Sequence, residues 1–181
     1  MDAPDTIALA AKAAEEGLEA VLVGGNAVNL HAYSRTTFDV DLLVPEEQAE
    51  RWLAFFGRHG YGVFHRTPNF IRARLAADPA GALPVDLMLA DAQTFSKIAQ
   101  ASSAAEIGHG LTLRIPSPLH LIAMKLHALR SPHRLAHGVD LQDVTHLMRA
   151  AKIDVAGSEF AELMERYGND EIRERILREL G

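Results

Sequence analysis

The segment Phe38-Asp39-Val40-Asp41-Leu42-Leu43-Val44 constrains this chain more than any other. Its apolar residues predict a largely buried strand, yet it carries carboxylates at two alternate positions. Residues i and i+2 of a strand project to one face, so Asp39 and Asp41 would stand side by side. Like charges at that spacing repel unless a cation joins them. A solvated acidic face is the other reading, and the apolar neighbours count against it. Hard carboxylate oxygens suit magnesium. Upstream, Gly24 and Gly25 close the apolar run Ala20-Val21-Leu22-Val23. Such a pair serves either as a plain tight turn or, opening a helix, as a place where backbone N–H groups approach a phosphate. A third acid, Asp86, interrupts Pro84-Val85-Asp86-Leu87-Met88-Leu89. A buried carboxylate is costly without a cation, a hydrogen-bond donor or a metal. Three such groups together would hold one or two metals for phosphoryl displacement, and the third could take a proton from an attacking hydroxyl.

The bulk properties narrow the classes. With 181 residues and 48% hydrophobic content, the chain suits one domain, or a small domain with a helical extension. It has no cysteine, which excludes a disulfide framework and a thiolate zinc site and fits a cytoplasmic location. The acidic N-terminus lacks the basic region of a signal peptide, and no apolar run approaches the ~20 residues of a membrane span. No membrane association is expected. A net charge of -6 argues against non-specific nucleic-acid binding through bulk charge, while leaving room for a local basic patch.

Pattern and punctuation predict a helix over residues 5–16, a short strand over 20–23 and a helix from 26 to 33. The acidic strand over 38–44 follows, then an amphipathic helix over 46–59. Strands are expected at 61–65, 70–75 and 83–89, a helix at 92–100, and strand pieces at 105–107 and 111–115. Ser117-Pro118 starts a helix reaching about residue 130. Residues 132–138 read as a basic loop, and three helices finish the chain at 139–151, 158–167 and 170–180. The expected fold class is α+β, a small mixed sheet with packed helices. Its division would be an α/β core over 1–116 and a C-terminal helical part over 117–181.

Further candidates lie outside the acidic strands. Ile122, Lys125 and Leu129 share one helical stripe, so Lys125 must either reach an anion or snorkel out. Asp140 and Asp143 sit one turn apart near a helix start, where they favour the helix dipole or point inward; Asp140 aligns with Val144, Leu147 and Met148. Arg35, just before the acidic strand, would touch a phosphate or an acceptor, or pair with Asp39. The histidines His120, His127, His133, His137 and His146 match no standard zinc spacing. His31 reads as a packed residue.

The string Val23-Gly24-Gly25, thirteen residues, then Asp39-Val40-Asp41-Leu42, with the later lone Asp86, resembles the signature of the DNA polymerase beta-type nucleotidyltransferase superfamily. The fuller set of Gly24-Gly25-Asn26-Ala27, His31, Arg35-Thr36-Thr37, Asp39 and Asp41 resembles the bacterial minimal nucleotidyltransferases. These include the AbiEii-like toxins of type IV toxin–antitoxin systems. The resemblance implies a nucleotidyltransferase fold whose C-terminal helices close the nucleotide site. It implies an enzyme moving a nucleoside monophosphate from a nucleoside triphosphate such as ATP to an acceptor hydroxyl, with release of pyrophosphate. Gly24, Gly25 and Arg35 would contact the triphosphate, Asp39 and Asp41 would hold Mg2+, and Asp86 would be third ligand and base. Lys125 would contact nucleotide and Asp140, with Asp143 as alternate, would be a further required acid. RNA, including tRNA, is the implied acceptor and an antitoxin the implied partner. A small-molecule antibiotic or a protein side chain is the alternative acceptor, and a non-catalytic nucleotide- or partner-binding protein the alternative class.

Overall fold

A computed structural model describes residues 3–107 and 110–181 of the chain; the acidic start at Met1 and Asp2 lies outside the described residues. The fold is mixed α/β and falls into two compact units. The first holds the chain up to Ala27 together with Arg35–Pro116, and the second holds Val28–Ser34 together with Ser117–Gly181.

The first unit is built on a five-stranded sheet. Its strands are β1 (Val21–Leu22), β2 (Val40–Pro45), β3 (Tyr61–Thr67), β4 (Phe70–Leu75) and β5 (Val85–Ala90), in the spatial order β1-β2-β5-β4-β3. β2 and β5 run parallel, and the other neighbours are antiparallel. A parallel pair needs a long crossover, and here two strands and a helix intervene in sequence between them. Four helices accompany these strands among the described residues: α1 (Ala3–Glu15), α2 (Gly24–His31), α3 (Ala49–Arg58) and α4 (Ala92–Gln100). The last turn of α2 is grouped with the second unit. A separate hairpin pairs β6 (Ser103–Glu106) with β7 (Thr112–Ile115).

Alternation sorts each strand into two faces. Val40, Leu42 and Val44 of β2, Val85 and Leu87 of β5, and Ile71 and Ala73 of β4 are all buried and form the sheet's contribution to the core. Helix α3 adds Trp52, Phe55 and Phe56, each with no exposed surface, and the three rings meet in edge and tilted contacts with centroids 5.7 to 6.4 Å apart. The alternate positions, Asp41, Asp86 and Arg72, lie on the other face.

The acidic strand starts two residues later than the sequence predicts. Pairing begins at Val40, so Phe38 and Asp39 form the approach to the strand, and Phe38 is 76% exposed.

The second unit is helical: α5 (Pro118–Leu129), α6 (Pro132–His137), α7 (Val139–Ala151), α8 (Ser158–Tyr167) and α9 (Asp170–Leu180). Ser117 caps α5 by accepting the His120 N–H, with Pro118 at the first helical position. Residues 132–138, expected as a loop, fold instead as α6. Pro132 sits in its first turn, buried Leu135 anchors it, and Gly138 in the left-handed region ends it. One buried leucine in a six-residue segment is too short a pattern to separate a helical turn from a loop.

The aromatic cluster supplies a test of the core. Phe56→Ala should lower unfolding free energy by about 3–5 kcal/mol. Urea unfolding followed by the emission of Trp52, the sole tryptophan, reads this directly; a loss below about 1 kcal/mol would mean the site repacks.

Candidate active site

The register of the sheet builds the site. In the parallel pair, Asp41 of β2 stands directly opposite Asp86 of β5, and in the antiparallel pair Asp86 stands opposite Arg72 of β4. Three charged side chains thus line up across adjacent strands. Asp39, one residue before β2, joins them from the approach to the strand. Carboxylate oxygens from Asp39, Asp41 and Asp86 all lie within 4.8 Å of one another. Asp39 and Asp41 are half-buried, and Asp86 is buried.

Arg72 is the guanidinium that makes this arrangement tolerable. Its Nε donates to Asp86 Oδ1 at 2.6 Å and its Nη2 donates to Asp86 Oδ2, a bidentate fork. The same Nη2 lies 3.5 Å from Asp39 Oδ2. The hydrogen bond to Asp86 holds the Arg72 guanidinium above even its ordinary high pKa, with the charges of Asp86, Asp39 and Asp41 adding to the effect. Three carboxylates and one guanidinium leave a formal charge of −2 on these four residues. That is the charge one divalent cation balances, and an all-oxygen donor set suits a hard ion. The residues present therefore fit a divalent metal.

The glycine pair answers a second constraint. Gly24 opens α2 with φ +62°, and a Cβ there would lie 1.8 Å from Asp41 Oδ2. The Asp41 carboxylate fills the space a side chain would need. A Cβ on Gly25 would lie 2.4 Å from Thr37 Cγ2 and 2.9 Å from an Arg35 guanidinium nitrogen. Both glycines are thus required by the side chains that follow them. Asn26, the next residue, ties the two segments together. Its Nδ2 donates to the Asp39 carbonyl at 3.0 Å, its Oδ1 accepts from Thr37 Oγ1 at 3.2 Å, and Val23 N–H donates to the Asp41 carbonyl at 2.9 Å.

A second charged cluster lies in the helical unit. Lys125 Nζ is 2.8 Å from Asp140 Oδ1 and 2.8 Å from Asp143 Oδ2. Arg134 Nε is 2.7 Å from Asp140 Oδ2, and Tyr33 donates its hydroxyl to Asp143 Oδ1 at 2.8 Å while its ring stacks on His146. Lys125, Asp140 and Asp143 are all buried. Two cations balance two anions, so the cluster is formally neutral. Of the residues singled out from sequence, the structure brings together Gly24, Asp39, Asp41 and Asp86, sets Arg35 beside Gly25, and joins Lys125 to both Asp140 and Asp143.

Asn26, Arg72, Tyr33 and Arg134 were not assigned these parts from sequence. Arg72 had a legible signal, since it alternates with buried Ile71 and Ala73 and so faces away from the core. Which strand β4 would pair with was not legible.

A match to a protein-family model extends over residues 7–180, nearly the whole chain; the family is described as nucleotidyl transferase AbiEii toxin, type IV TA system. The chain belongs to the AbiEii nucleotidyltransferase family. It is accordingly a transferase acting with nucleotide substrates. No curated protein matches it. Solved structures share its fold. The antibiotic-resistance factor ANT(2'')-Ia, crystallised with adenylyl-2''-tobramycin, has a TM-score of 0.65 at 20% identity, covering 88% of this chain and 95% of that one. The lincosamide antibiotic adenylyltransferase LnuA, lincomycin-bound, has a TM-score of 0.57 at 11% identity, covering 83% and 98%. An antigenic nucleotidyltransferase-like protein from Paracoccidioides brasiliensis has a TM-score of 0.57 at 16% identity, covering 94% and 89%. The nucleotidyltransferase fold expected from the sequence is the fold observed. Among the described residues, no helix is long and apolar enough to cross a membrane.

Two variants test the geometry. Gly24→Ala combines a left-handed φ with an occupied Cβ position. It should lose more than about 1 kcal/mol of stability by urea unfolding; an unchanged midpoint would mean Asp41 has another place to go. Lys125→Met leaves two buried carboxylates without their shared ammonium and should cost about 3–5 kcal/mol, read as a lowered thermal midpoint.

Proposed function

We propose that this AbiEii-family enzyme is a magnesium-dependent nucleotidyltransferase that moves a nucleoside monophosphate from a nucleoside triphosphate to a hydroxyl of an RNA acceptor, releasing pyrophosphate. The observation that carries the reading is the cluster of Asp39, Asp41 and Asp86 carboxylates within 4.8 Å, set against a helix start where Asp41 leaves no room for a side chain at Gly24. Those three residues would hold Mg2+, which supplies charge neutralisation along the triphosphate. Gly24 and Gly25 begin α2, and a helix N-terminus favours phosphate. Arg35, beside Gly25, offers a planar donor fork to the same phosphates. Asp86 accepts the proton of the attacking hydroxyl only if Arg72 releases at least one of its oxygens. Catalysis on this reading is mostly positioning and charge neutralisation. The family resemblance also gives Lys125 a contact with the nucleotide and makes Asp140 a further required acid.

RNA is favoured as acceptor by the side chains of the outer strands β4 and β3. Arg72 shares its face with Phe70 and Arg74. The guanidinium of Arg74 lies 5.0 Å from the ring of Phe64, which is 55% exposed, and that of Arg72 lies 5.8 Å from the ring of Phe70. Exposed aromatic faces beside arginines suit unstacked bases and phosphates. The family description as a type IV toxin supports an antitoxin partner and a reaction in the cytoplasm, where triphosphates and RNA meet.

The test is transfer of label. The protein is incubated with each α-phosphate-labelled nucleoside triphosphate and Mg2+, together with total RNA, protein extract or tobramycin. Label on RNA is expected, with pyrophosphate release falling about a thousandfold in Asp39→Asn and Asp41→Asn, the scale of several kcal/mol of lost charge stabilisation. Label on tobramycin would replace RNA with a small-molecule acceptor. Full activity in both variants would sink the site.

A further inference from the structure

We infer that Arg72 is a resident counter-cation of the carboxylate centre, competing with a divalent metal for Asp86 and thereby setting the metal affinity of the site. This rests on the reading of Asp39, Asp41 and Asp86 as a metal centre. The geometry leads there in three steps.

First, both oxygens of Asp86 are engaged by one guanidinium, through Nε at 2.6 Å and through Nη2. A metal takes carboxylate oxygen lone pairs in the same directions that a bidentate arginine occupies. Asp86 is buried, so it cannot easily turn to present unused lone pairs elsewhere. Second, the engagement is unequal across the centre. Nη2 bonds closely to Asp86 Oδ2, whereas its hydrogen bond to Asp39 Oδ2 stretches to 3.5 Å. Asp39 and Asp41 are half-buried. A metal that binds Asp39 and Asp41 gains both arginine-facing lone pairs of Asp86 only by displacing Arg72. Third, the arginine has somewhere to go. Its side chain is 36% exposed and its guanidinium already lies 5.8 Å from the Phe70 ring, a second weak site for a cation on the same strand face.

The arrangement has a use in the metal-free protein. Three carboxylates converge from the approach to β2, from β2 itself and from β5, and without a cation they would push their strands apart. Arg72 holds Asp86 in place until a better cation takes over. A buried carboxylate left unpaired would otherwise cost several kcal/mol.

The experiment is direct Mn2+ binding, with free Mn2+ counted by electron paramagnetic resonance, on the full chain and five variants. Arg72→Gln should bind Mn2+ about tenfold more tightly than the parent, a middle value for charged groups in contact. That gain should vanish when Asp86→Asn is added, because nothing is left to compete for. Asp86→Asn alone should lose little affinity, and Arg72→Lys, with its charge but without the fork, should fall between parent and Arg72→Gln. Circular dichroism checks folding, and the lysine variant carries the test if the glutamine variant does not fold. Equal or weaker binding in both arginine variants overturns the inference. So does a gain that persists with Asp86→Asn, which would reflect only the field of a removed charge. An Asp39→Asn, Asp41→Asn double variant separates the two levels. If it binds Mn2+ as the parent does, the metal centre itself fails; if it loses binding while the arginine variants stay at parental affinity, only the role of Arg72 fails.

Discussion

The parallel pairing of β2 with β5 is the interaction on which the rest of the structure depends. It sets Asp41 opposite Asp86, a contact that electrostatics alone would forbid. The pairing is enforced from the other face, where Val40, Leu42 and Val44 pack beside Val85 and Leu87 in the core. A slip of one residue would turn those apolar side chains outward and drive the carboxylates into the core. Hydrophobic burial on one face thus holds charges together on the other. Pro84 strengthens the start of the pair, its carbonyl accepting the Val40 N–H at 2.9 Å.

Given that register, the remaining parts of the centre follow as accommodations. Arg72 sits opposite Asp86 and neutralises part of its charge. Gly24 yields the volume taken by the Asp41 carboxylate, and its positive φ lets α2 begin there. Asn26 clips the approach segment at Thr37 and Asp39, just before β2 begins. The glycine pair that suggests phosphate binding from sequence has, in the folded protein, an equally strong steric reason to be glycine.

The second charged cluster follows a different logic. Lys125, Asp140 and Asp143 are more deeply buried than Asp39 and Asp41, and their charges are matched within the cluster by Arg134. A buried, fully paired network specifies how α5 and α7 sit against each other and is strongly penalised if one member is lost. The question of whether Asp140 or Asp143 faces inward has the answer that both do, since residues three apart share a helical face and one ammonium spans them.

The elements and the three acids of the candidate site were legible because short-range rules decide them. Period two marked the strands, Ser117-Pro118 marked a helix start, and an acid within or beside an apolar strand marked each carboxylate. The Gly-Gly and Asp-x-Asp string was specific enough to point to the family. Residues 132–138 escaped because a single turn carries too little pattern. The roles of Arg72, Asn26 and Tyr33 escaped for a deeper reason. Each depends on a partner 11 to 110 residues away in sequence, and such contacts come from strand order and helix packing. The sequence by itself determined which residues carry charge into the core and which faces must be buried. Only the tertiary structure decided that Asp86 faces Asp41 on one side and Arg72 on the other, because sheet order is settled by the burial of whole faces and not by any local pattern.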